Sequence, residues 1–458
     1  MCFRSVYCLL LYHNVLQKLG KMGPLQSFSS QKIPFWYDAS MKINTDPKKI
    51  EELLTRGVDE VIHLDDLRAK LLSGKQLRVK LGIDPTSPHL HLGRSIPLLK
   101  LRDFQELGHQ IILLIGDATG VIGDTSDKDA ERPMLTPEQV KENHAEYYDQ
   151  AAKILDMDKV EFRQNSEWLN PLGYTEIGEH ADLFSVNQFI QRDNIRRRLE
   201  AGKRVSLREV LYPLMQGYDS VALKADVELG GSDQRFNLLA GRTLQEHFNQ
   251  APQNIVTNPL VEGLDGRKMS SSYGNGVYIF DTPADMYGKI MSLHDAFIIK
   301  YYIFMTRIPM QDITAIQHEL SQKDTNPKDI KMRLAHALVS MYHSEDAANI
   351  AQTGWQEAFE QGKIPENTKT VKVKVKIPLV ELLMKEGIVK SKTEFKRLVE
   401  NGAIKFHGQI QEKKIIDPAS LVSEDGALKI GKKRFLKIKV IKDAKKAGEI
   451  KDSEKKEG

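Results

Sequence analysis

Between Val79 and Arg94 the chain changes its period twice, and this restricts its fold more than any other stretch. Val79, Leu81 and Ile83 alternate with Lys80 and Gly82, the two-residue repeat of a strand. Pro85 and Pro88 then end the ladder and block an early helix. Beyond them Leu92, Ile96 and Leu99 recur at spacings of four and three. His91, Leu92, Gly93 and Arg94 are thus expected on a first helical turn, where unpaired backbone amides attract anions. Gly108 closes this helix, and Ile111 to Ile115 reads as a strand buried on both faces. Strand, helix and buried strand form a βαβ unit, so the expected class is α/β: a Rossmann-like parallel sheet with a right-handed crossover. Such sheets bind ligands at the carboxyl ends of their strands.

At 458 residues the chain has material for two to four domains. Charged residues make up 28% and no apolar run reaches membrane-spanning length, so a soluble protein with no membrane role is expected. A net charge of +4 does not by itself announce a nucleic-acid partner, and local clusters must carry that question. Cys2 and Cys8 are the only cysteines, which excludes disulfide scaffolding and cysteine metal sites from the body. Residues 1–40 contain Arg4, Lys18, Lys21 and Lys32 but no acid before Asp38. They read either as a transit segment or, preferably, as an upstream start ahead of Met41, with a cytoplasmic location expected.

Several stretches carry chemistry. Asp46 to about Leu72 has helical periodicity through Ile50, Leu53, Leu54, Val58, Ile62 and Leu67. The second strand runs into Gly116–Asp124, a glycine-rich βα turn that either simply bends or admits a ligand to the backbone, and Lys128 and Arg132 follow on a polar loop. Thr136, Pro137 and Gln139 form a capping box that opens a helix to about Leu155. Ser206 and Glu209 open another, on which Val210, Leu211, Leu214, Met215 and Tyr218 supply a core stripe. Tyr212, Gln216 and Asp219 line a different edge. Gly230-Gly231-Ser232-Asp233-Gln234 is a second βα turn, suited to a ribose with Asp233 as hydroxyl acceptor. Gly266-Arg267-Lys268-Met269-Ser270-Ser271-Ser272 is a cationic, hydroxyl-rich loop.

From Thr282 to about Gly362 the pattern is helical, and 363–376 reads as a linker. A small module follows: a helix from Leu379 stopped by Gly387, then a helix opened by Ser391 and Glu394. Phe395, Leu398 and Val399 face inward, and Lys390, Lys392, Lys396 and Arg397 face outward. Asn401-Gly402 turns the chain into Ile404–Gly408, and Leu436, Ile438 and Val440 mark a last strand.

The pair His91-Leu92-Gly93-Arg94 and Lys268-Met269-Ser270-Ser271-Ser272 resembles the HIGH and KMSKS motifs of class I aminoacyl-tRNA synthetases. Tyr212-x-x-x-Gln216-x-x-Asp219 and Gly-Gly-Ser-Asp-Gln narrow the resemblance to the tyrosyl-tRNA synthetase family, and the C-terminal module resembles an S4 RNA-binding domain. The resemblance implies ATP-dependent activation of L-tyrosine and transfer to tRNA(Tyr) by a homodimer, with Mg2+ accompanying ATP and no dedicated metal site. It divides the chain into an extension (1–40), a catalytic domain (41–275), an α-helical anticodon-binding domain (276–362), the linker, an S4-like domain (377–442) and a disordered tail (443–458).

By the same resemblance, His91, Arg94, Thr86, Lys268, Ser271, Lys128 and Arg132 serve the phosphates. Asp124, Tyr212, Gln216, Asp219, Gln234 and Asp84 bind tyrosine, with Asp219 accepting the phenol hydroxyl. Gly82, Gly93, Gly231, Asp233, Lys268, Met269 and Ser270 bind ATP. No strong base is implied, because the attacking group is already a carboxylate and positioning with charge stabilisation suffices. Three positions depart from the family. Lys80 stands where many members carry a tyrosine that shares the phenol contact, Arg94 replaces the second histidine of HIGH, and Ser271 replaces the second lysine of KMSKS, with Arg267 a candidate to restore the charge. Two rivals stand beside this reading: a tryptophanyl-tRNA synthetase-like enzyme, since an aspartate on the same helix could accept an indole N–H, and, from the altered signature loops, a synthetase-like RNA-binding protein without catalysis.

Overall fold

The computed structural model describes residues 42–124, 134–144, 146–359, 368–374, 376–389, 391–408, 412–415, 417–431 and 434–441. The expectations for 1–40, Lys128, Arg132, Lys390 and the tail 443–458 lie outside these residues.

The sequence periods become a six-stranded sheet: β1 (Glu60–Ile62), β2 (Arg78–Ile83), β3 (Gln110–Ile115), β4 (Val160–Gln164), β5 (Val227–Gly231) and β6 (Asn254–Asn258), in the order β1-β6-β5-β2-β3-β4. The five strands from β6 to β4 are parallel, and β1 is antiparallel to β6. Ile111 to Ile115 is buried throughout, as an apolar run covered on both faces must be.

The helical run expected from Asp46 to Leu72 is divided. Helices α1 (Pro47–Thr55) and α2 (Leu64–Leu72) flank β1. Gly57 adopts a φ of 65°, which ends α1, and the Asp59 amide donates to the Thr257 carbonyl at 2.8 Å. Pairing with an available sheet edge thus outweighs the helical spacing of Val58 and Ile62. The helix expected from Pro137 to Leu155 is likewise observed as two pieces, Pro137–His144 and Tyr147–Ala152.

Helix α3 (Leu92–Glu106) crosses from β2 to β3. Helices α4 (Leu207–Leu223) and α5 (Arg235–His247) bracket β5. On α4 the burial differs from expectation: Tyr212 and Asp219 are buried with Leu214, whereas Val210, Leu211, Met215 and Tyr218 are half-buried. The polar edge faces into the molecule because it borders a cavity. Helices α6 (Pro283–Met291), α7 (Ile298–Met305), α8 (Met310–Leu320), α9 (Pro327–Tyr342) and α10 (Glu345–Phe359) follow. One apolar core runs from Leu53 of α1 through Leu81 and Leu113 to Tyr287, Tyr301 and Leu338, so these helices share the sheet's core.

The C-terminal region has its own apolar cluster, with Leu382, Phe395, Val399, Ile404, Leu428 and Leu436 among its members. Strands β7 (Thr370–Lys374), β8 (Ile377–Pro378), β9 (Ile404–Gly408), β10 (Glu412–Lys414), β11 (Leu421–Val422), β12 (Gly426–Ile430) and β13 (Arg434–Ile441) form a five-stranded sheet, β10-β9-β12-β13-β7, and a β8–β11 pair. They accompany helices α11 (Leu379–Lys385) and α12 (Lys392–Glu400). The stretch read as a linker is therefore corrected: Thr370–Lys374 is an edge strand parallel to β13. Its alternating valines pack inward, with Val371 and Val373 buried.

Within the main sheet Lys80 of β2 lies beside Glu228 of β5 in register. Lys80 Nζ stands 2.9 Å from Glu228 Oε1, with both side chains only 1% exposed. The ammonium also donates to Ser220 Oγ at 2.8 Å and to the Gln216 carbonyl at 3.3 Å. Removing one partner of such a pair leaves an uncompensated buried charge. Lys80→Met is expected to lose about 3–5 kcal/mol of stability, measured as the shift in the urea unfolding midpoint with slope unchanged.

Candidate active site

The strand order reverses between β2 and β5, since the chain builds outward through β3 and β4 on one side and through β6 on the other. A cavity of about 400 Å3 opens at the carboxyl ends of these two strands. Its lining includes Leu81, Gly82 and Ile83 from β2 and Leu229, Gly230 and Gly231 from β5, the place where open parallel sheets admit ligands.

Every expected site residue within the described residues lines this one cavity. His91, Arg94, Thr86, Lys268 and Ser271 are there; so are Asp84, Asp124, Tyr212, Gln216, Asp219 and Gln234; and so are Gly82, Gly93, Gly231, Asp233, Met269 and Ser270.

At the start of α3, His91 is the N-cap residue and its Nδ1 accepts from the Arg94 amide at 3.3 Å, which places the ring proton on Nε2. Arg94 donates to Thr86 Oγ1 at 3.1 Å and to the Tyr147 hydroxyl at 3.2 Å, and Tyr147 in turn donates to the Ser87 carbonyl. The loop after β6 closes over this helix start. Leu92 N donates to Val277 O at 2.8 Å, and Gly93 N meets Met269 Sδ at 3.2 Å. Ser87 Oγ and Ser271 Oγ are 3.4 Å apart. The loop is braced by Asn275, whose Oδ1 accepts from Ser270 N and whose Nδ2 donates to the Lys268 carbonyl. Lys268 Nζ pairs with Asp233 Oδ2 at 2.9 Å. Arg267, the candidate for a restored charge, does not line the cavity; its guanidinium is held by Asp265 at 2.6 Å and lies over the Tyr273 ring.

The inner end is a chain of polar contacts. Tyr212 donates to Asp84 Oδ2 at 2.8 Å, and Thr119 Oγ1 donates to Asp84 Oδ1 at 2.8 Å. Gly116 makes room for this: a Cβ there would lie 2.1 Å from Asp84 Oδ1. The glycine-rich turn thus serves side-chain packing at this position. Burial, reinforced by the Asp84 and Asp124 charges, pushes the Tyr212 hydroxyl well above its usual range. Gln216 is fixed at both ends of its amide, donating to Glu228 Oε1 at 3.2 Å and accepting from Asn237 at 3.0 Å. Asn237 also donates to Gln234 Oε1, and Gln234 donates to Asp124.

Asp219 is 3% exposed. Trp168 Nε1 donates to its Oδ1 at 2.8 Å and Asn165 Nδ2 to its Oδ2 at 3.3 Å. Burial pushes its carboxyl up to about 7, against the opposing effects of Lys80, Trp168 and Asn165. Trp168, Asn165, Thr119 and Asn237 escaped the sequence reading. Asn165 caps the short helical turn that carries Trp168, while Thr119 and Asn237 sit on other elements, and no local spacing points to Asp219; the remaining signal is that Trp168 is one of three tryptophans in the chain.

The family model for class I tRNA synthetases (W and Y) matches residues 72–360. The tyrosine–tRNA ligase of Thermotoga maritima is 42% identical over 395 residues, covering 86% of this chain and 98% of its own. That of Coxiella burnetii is 42% identical over 395 residues, covering 85% and 98%. Among solved structures, tyrosyl-tRNA synthetase from Archaeoglobus fulgidus in complex with L-tyrosine superposes with a TM-score of 0.54 at 24% identity, over 67% of this chain and 99% of that one. A C-terminally truncated mitochondrial tyrosyl-tRNA synthetase from Aspergillus nidulans gives 0.58 at 22%, over 68% and 94%. At these identities the two structures speak for the fold alone.

Because the folded-state pKa of Asp219 is raised, its contribution to stability is fully present below the ordinary aspartate value of 3.8 and is lost as pH rises through about 7. Between pH 4 and 8 the protein is therefore expected to lose stability relative to Asp219→Asn, read as diverging urea midpoints. Parallel curves would contradict the assigned environment.

Proposed function

From the premise that this chain belongs to the class I tRNA synthetases, and within them to the tyrosine–tRNA ligases, we propose the roles that its residues take in the reaction. The activity joins L-tyrosine to ATP as tyrosyl-adenylate with release of pyrophosphate, then passes the tyrosyl group to the terminal adenosine of tRNA(Tyr). The observation that carries the residue-level reading is the single cavity joining His91, Lys268 and Asp219.

The phenol hydroxyl of tyrosine donates to Asp219 at the inner end. Its ammonium group meets Asp124, Tyr212 and Gln216, with Asp84 behind Tyr212, and Gln234 lies beside its carboxylate. Phenylalanine would bring no donor to Asp219 from the cavity, and this family is itself the reference case for discrimination of that kind. The nucleotide enters as its magnesium complex over Gly82, Gly93, Gly231 and Met269, with Asp233 facing the ribose. A tyrosine carboxylate oxygen attacks the α-phosphorus and the bond to the bridging oxygen of pyrophosphate breaks. Charge gathers on phosphate oxygens, so the cations of Arg94 and Lys268, the His91 ring and the hydroxyls of Thr86, Ser270 and Ser271 supply stabilisation there. Lys128 and Arg132 are assigned to the departing pyrophosphate by their sequence positions. The terminal ribose hydroxyl of the tRNA then attacks the tyrosyl carbonyl and AMP leaves.

We read the C-terminal region as an S4-like RNA-binding module and the helices after Thr282 as the anticodon-binding region. In support, α12 buries Phe395 and Val399 and exposes Lys392, Lys396 and Arg397, a cationic face suited to RNA phosphates. A homodimer fits the half-exposed Val210, Leu211, Met215 and Tyr218 on α4, a surface that a second copy would cover.

Exchange of pyrophosphate into ATP, assayed with a panel of amino acids, tests the reading. Tyrosine alone should drive it. Dependence on tryptophan, or no exchange at all, would overturn it. Deleting the chain after Glu366 should leave exchange within about threefold and abolish tRNA charging, because the C-terminal apolar cluster is separate from the sheet's core. Loss of both activities would count against a separable RNA module.

A further inference from the structure

The side chains assigned to the substrate ammonium, Asp124, Tyr212 and Gln216, differ in what they can offer it. A carboxylate only accepts, a phenol can accept or donate, and a carboxamide has one accepting and one donating end. An ammonium carries three donors and no acceptor, so Tyr212 and Gln216 must both turn accepting atoms to it. Tyr212 does so because its own proton goes to Asp84 Oδ2 at 2.8 Å. The end that Gln216 presents is decided behind it, at the buried pair of Lys80 and Glu228.

Every polar atom of that pair is in use. The Lys80 ammonium donates to Glu228 Oε1, Ser220 Oγ and the Gln216 carbonyl at 2.9, 2.8 and 3.3 Å, and an ammonium has no further donor. Glu228 accepts four times: from Lys80 and Gln216 Nε2 on Oε1, and from Ser220 Oγ and Gln253 Nε2 on Oε2. A carboxylate has about four lone-pair sites, so Glu228 is saturated with donors. The end of the Gln216 carboxamide that faces it must therefore be Nε2, and Oε1 lies at the other end.

That orientation is passed on. Gln216 Oε1 accepts from Asn237 Nδ2 at 3.0 Å, and its second lone pair is left for the cavity that Gln216 lines. Asn237, fully buried, also donates to Gln234 Oε1 at 3.1 Å, and Gln234 Nε2 then donates to Asp124. Turning Asn237 over would set its oxygen against two others. The row from Glu228 to Asp124 thus has a single direction, with a carboxylate at each end and an amide nitrogen facing each carboxylate.

We propose that Glu228, with Lys80 as its counter-ion and Asn237 as its relay, is a positioning residue for the amino group of the substrate, fixing the Gln216 carboxamide so that its oxygen meets the ammonium. This rests on the reading of Gln216 as an ammonium ligand.

The charge of Glu228 is what gives the row its direction. A neutral amide at 228 could face Gln216 with either end, whereas a carboxylate faces it only as an acceptor. A lone carboxylate at that depth would be an uncompensated buried charge, and Lys80 offsets it. Lys80, Glu228 and Asn237 do not line the cavity, so they act on the substrate only through Gln216 and Gln234. The outcome is a set of three acceptors matched to a primary ammonium and mismatched to a hydroxyl or an acylated amine in its place.

The test compares two competitive inhibitors of tyrosine-dependent pyrophosphate exchange by the full chain: tyramine, which keeps the ammonium, and 3-(4-hydroxyphenyl)propionate, which lacks it. Lys80→Met/Glu228→Met removes both charges together, and a buried pair replaced by apolar side chains of similar volume is expected to keep its stability. The tyramine Ki and the tyrosine KM should rise about tenfold, while the propionate Ki moves by less than about twofold. Asn237→Ala should shift the ratio of the two Ki values in the same direction, and it carries the test if the double variant fails to fold. Equal shifts for both inhibitors, or none for either, in a folded variant would overturn the proposal and leave the pair as packing.

Gln216→Met separates the two levels of inference. If it shifts the ratio while Lys80→Met/Glu228→Met does not, only the positioning role fails. If Gln216→Met itself leaves the ratio intact, the assignment of Gln216 to the ammonium fails and the positioning role falls with it.

Discussion

The reversal of strand order between β2 and β5 is the constraint on which the site depends. A parallel sheet needs a crossover after each strand, and building outward in both directions from one point leaves the carboxyl ends of β2 and β5 uncovered by either set of crossovers. Into that opening the chain delivers the start of α3, the polar edge of α4, the turn after β5 and the loop after β6. None of these segments is close to all the others in sequence. They meet because the sheet brings residues near 83, 115, 164 and 231 to one edge, through strand pairings that a one-residue slip would undo.

Charge at the bottom of the opening is managed by pairing and by neutral donors. Lys80 and Glu228 lie in register on adjacent strands and are fully buried, so neither can relax toward water. Their pairing frees the Gln216 amide to be oriented by Glu228 on one side and Asn237 on the other. Asp219 lies in the same buried polar layer, where the Trp168 indole and the Asn165 amide donate to it and, among the described residues, no cation pairs with it directly. A direct cation would hold the carboxylate ionised more firmly, but it would also compete for the lone pairs that a substrate hydroxyl needs. Burial pushes the carboxyl up to about 7, and the residue borders the cavity, where a hydrogen-bonding ligand can reach it.

Where the sequence was informative, periodicity or a motif reported on local structure. The β2–α3–β3 unit, the capping boxes at Thr136 and Ser206, and the strands at Ile404 and Leu436 follow from spacing, and the structure contains them. The cavity gathers His91, Tyr212, Gln216, Asp219, Asp233 and Lys268, residues assigned to one site from motif resemblance alone. Errors arose where nonlocal pairing outweighed local pattern. Val58 and Ile62 have helical spacing, but the open edge of β6 captures Glu60–Ile62 as a strand. Val371 and Val373 alternate with lysines as an exposed linker might, yet β13 offers them an edge and a core. Trp168 and Asn165 were illegible for the same reason: their importance lies in contact with a helix more than fifty positions away, which no window along the chain can encompass.

The outer half of the cavity is organised by contacts that a nucleotide would have to exchange. Lys268 and Asp233 neutralise each other at 2.9 Å, and Arg94 is held by Thr86 and Tyr147. A phosphate arriving at Lys268 competes with Asp233, while a ribose hydroxyl arriving at Asp233 competes with Lys268. A ligand group that meets only one member must displace the other from it, whereas a molecule that carries both a ribose and phosphates can engage both members together. The pair therefore favours a complete nucleotide over its fragments, which is selectivity obtained from a repulsive term as much as from an attractive one. The Lys268 loop is braced by Asn275, by the Met269 amide on the Val261 carbonyl and by the buried Met269 side chain, all apart from the contacts around Asp219. In the reading proposed above, the inner end of the cavity takes the amino acid and the outer end takes the phosphates.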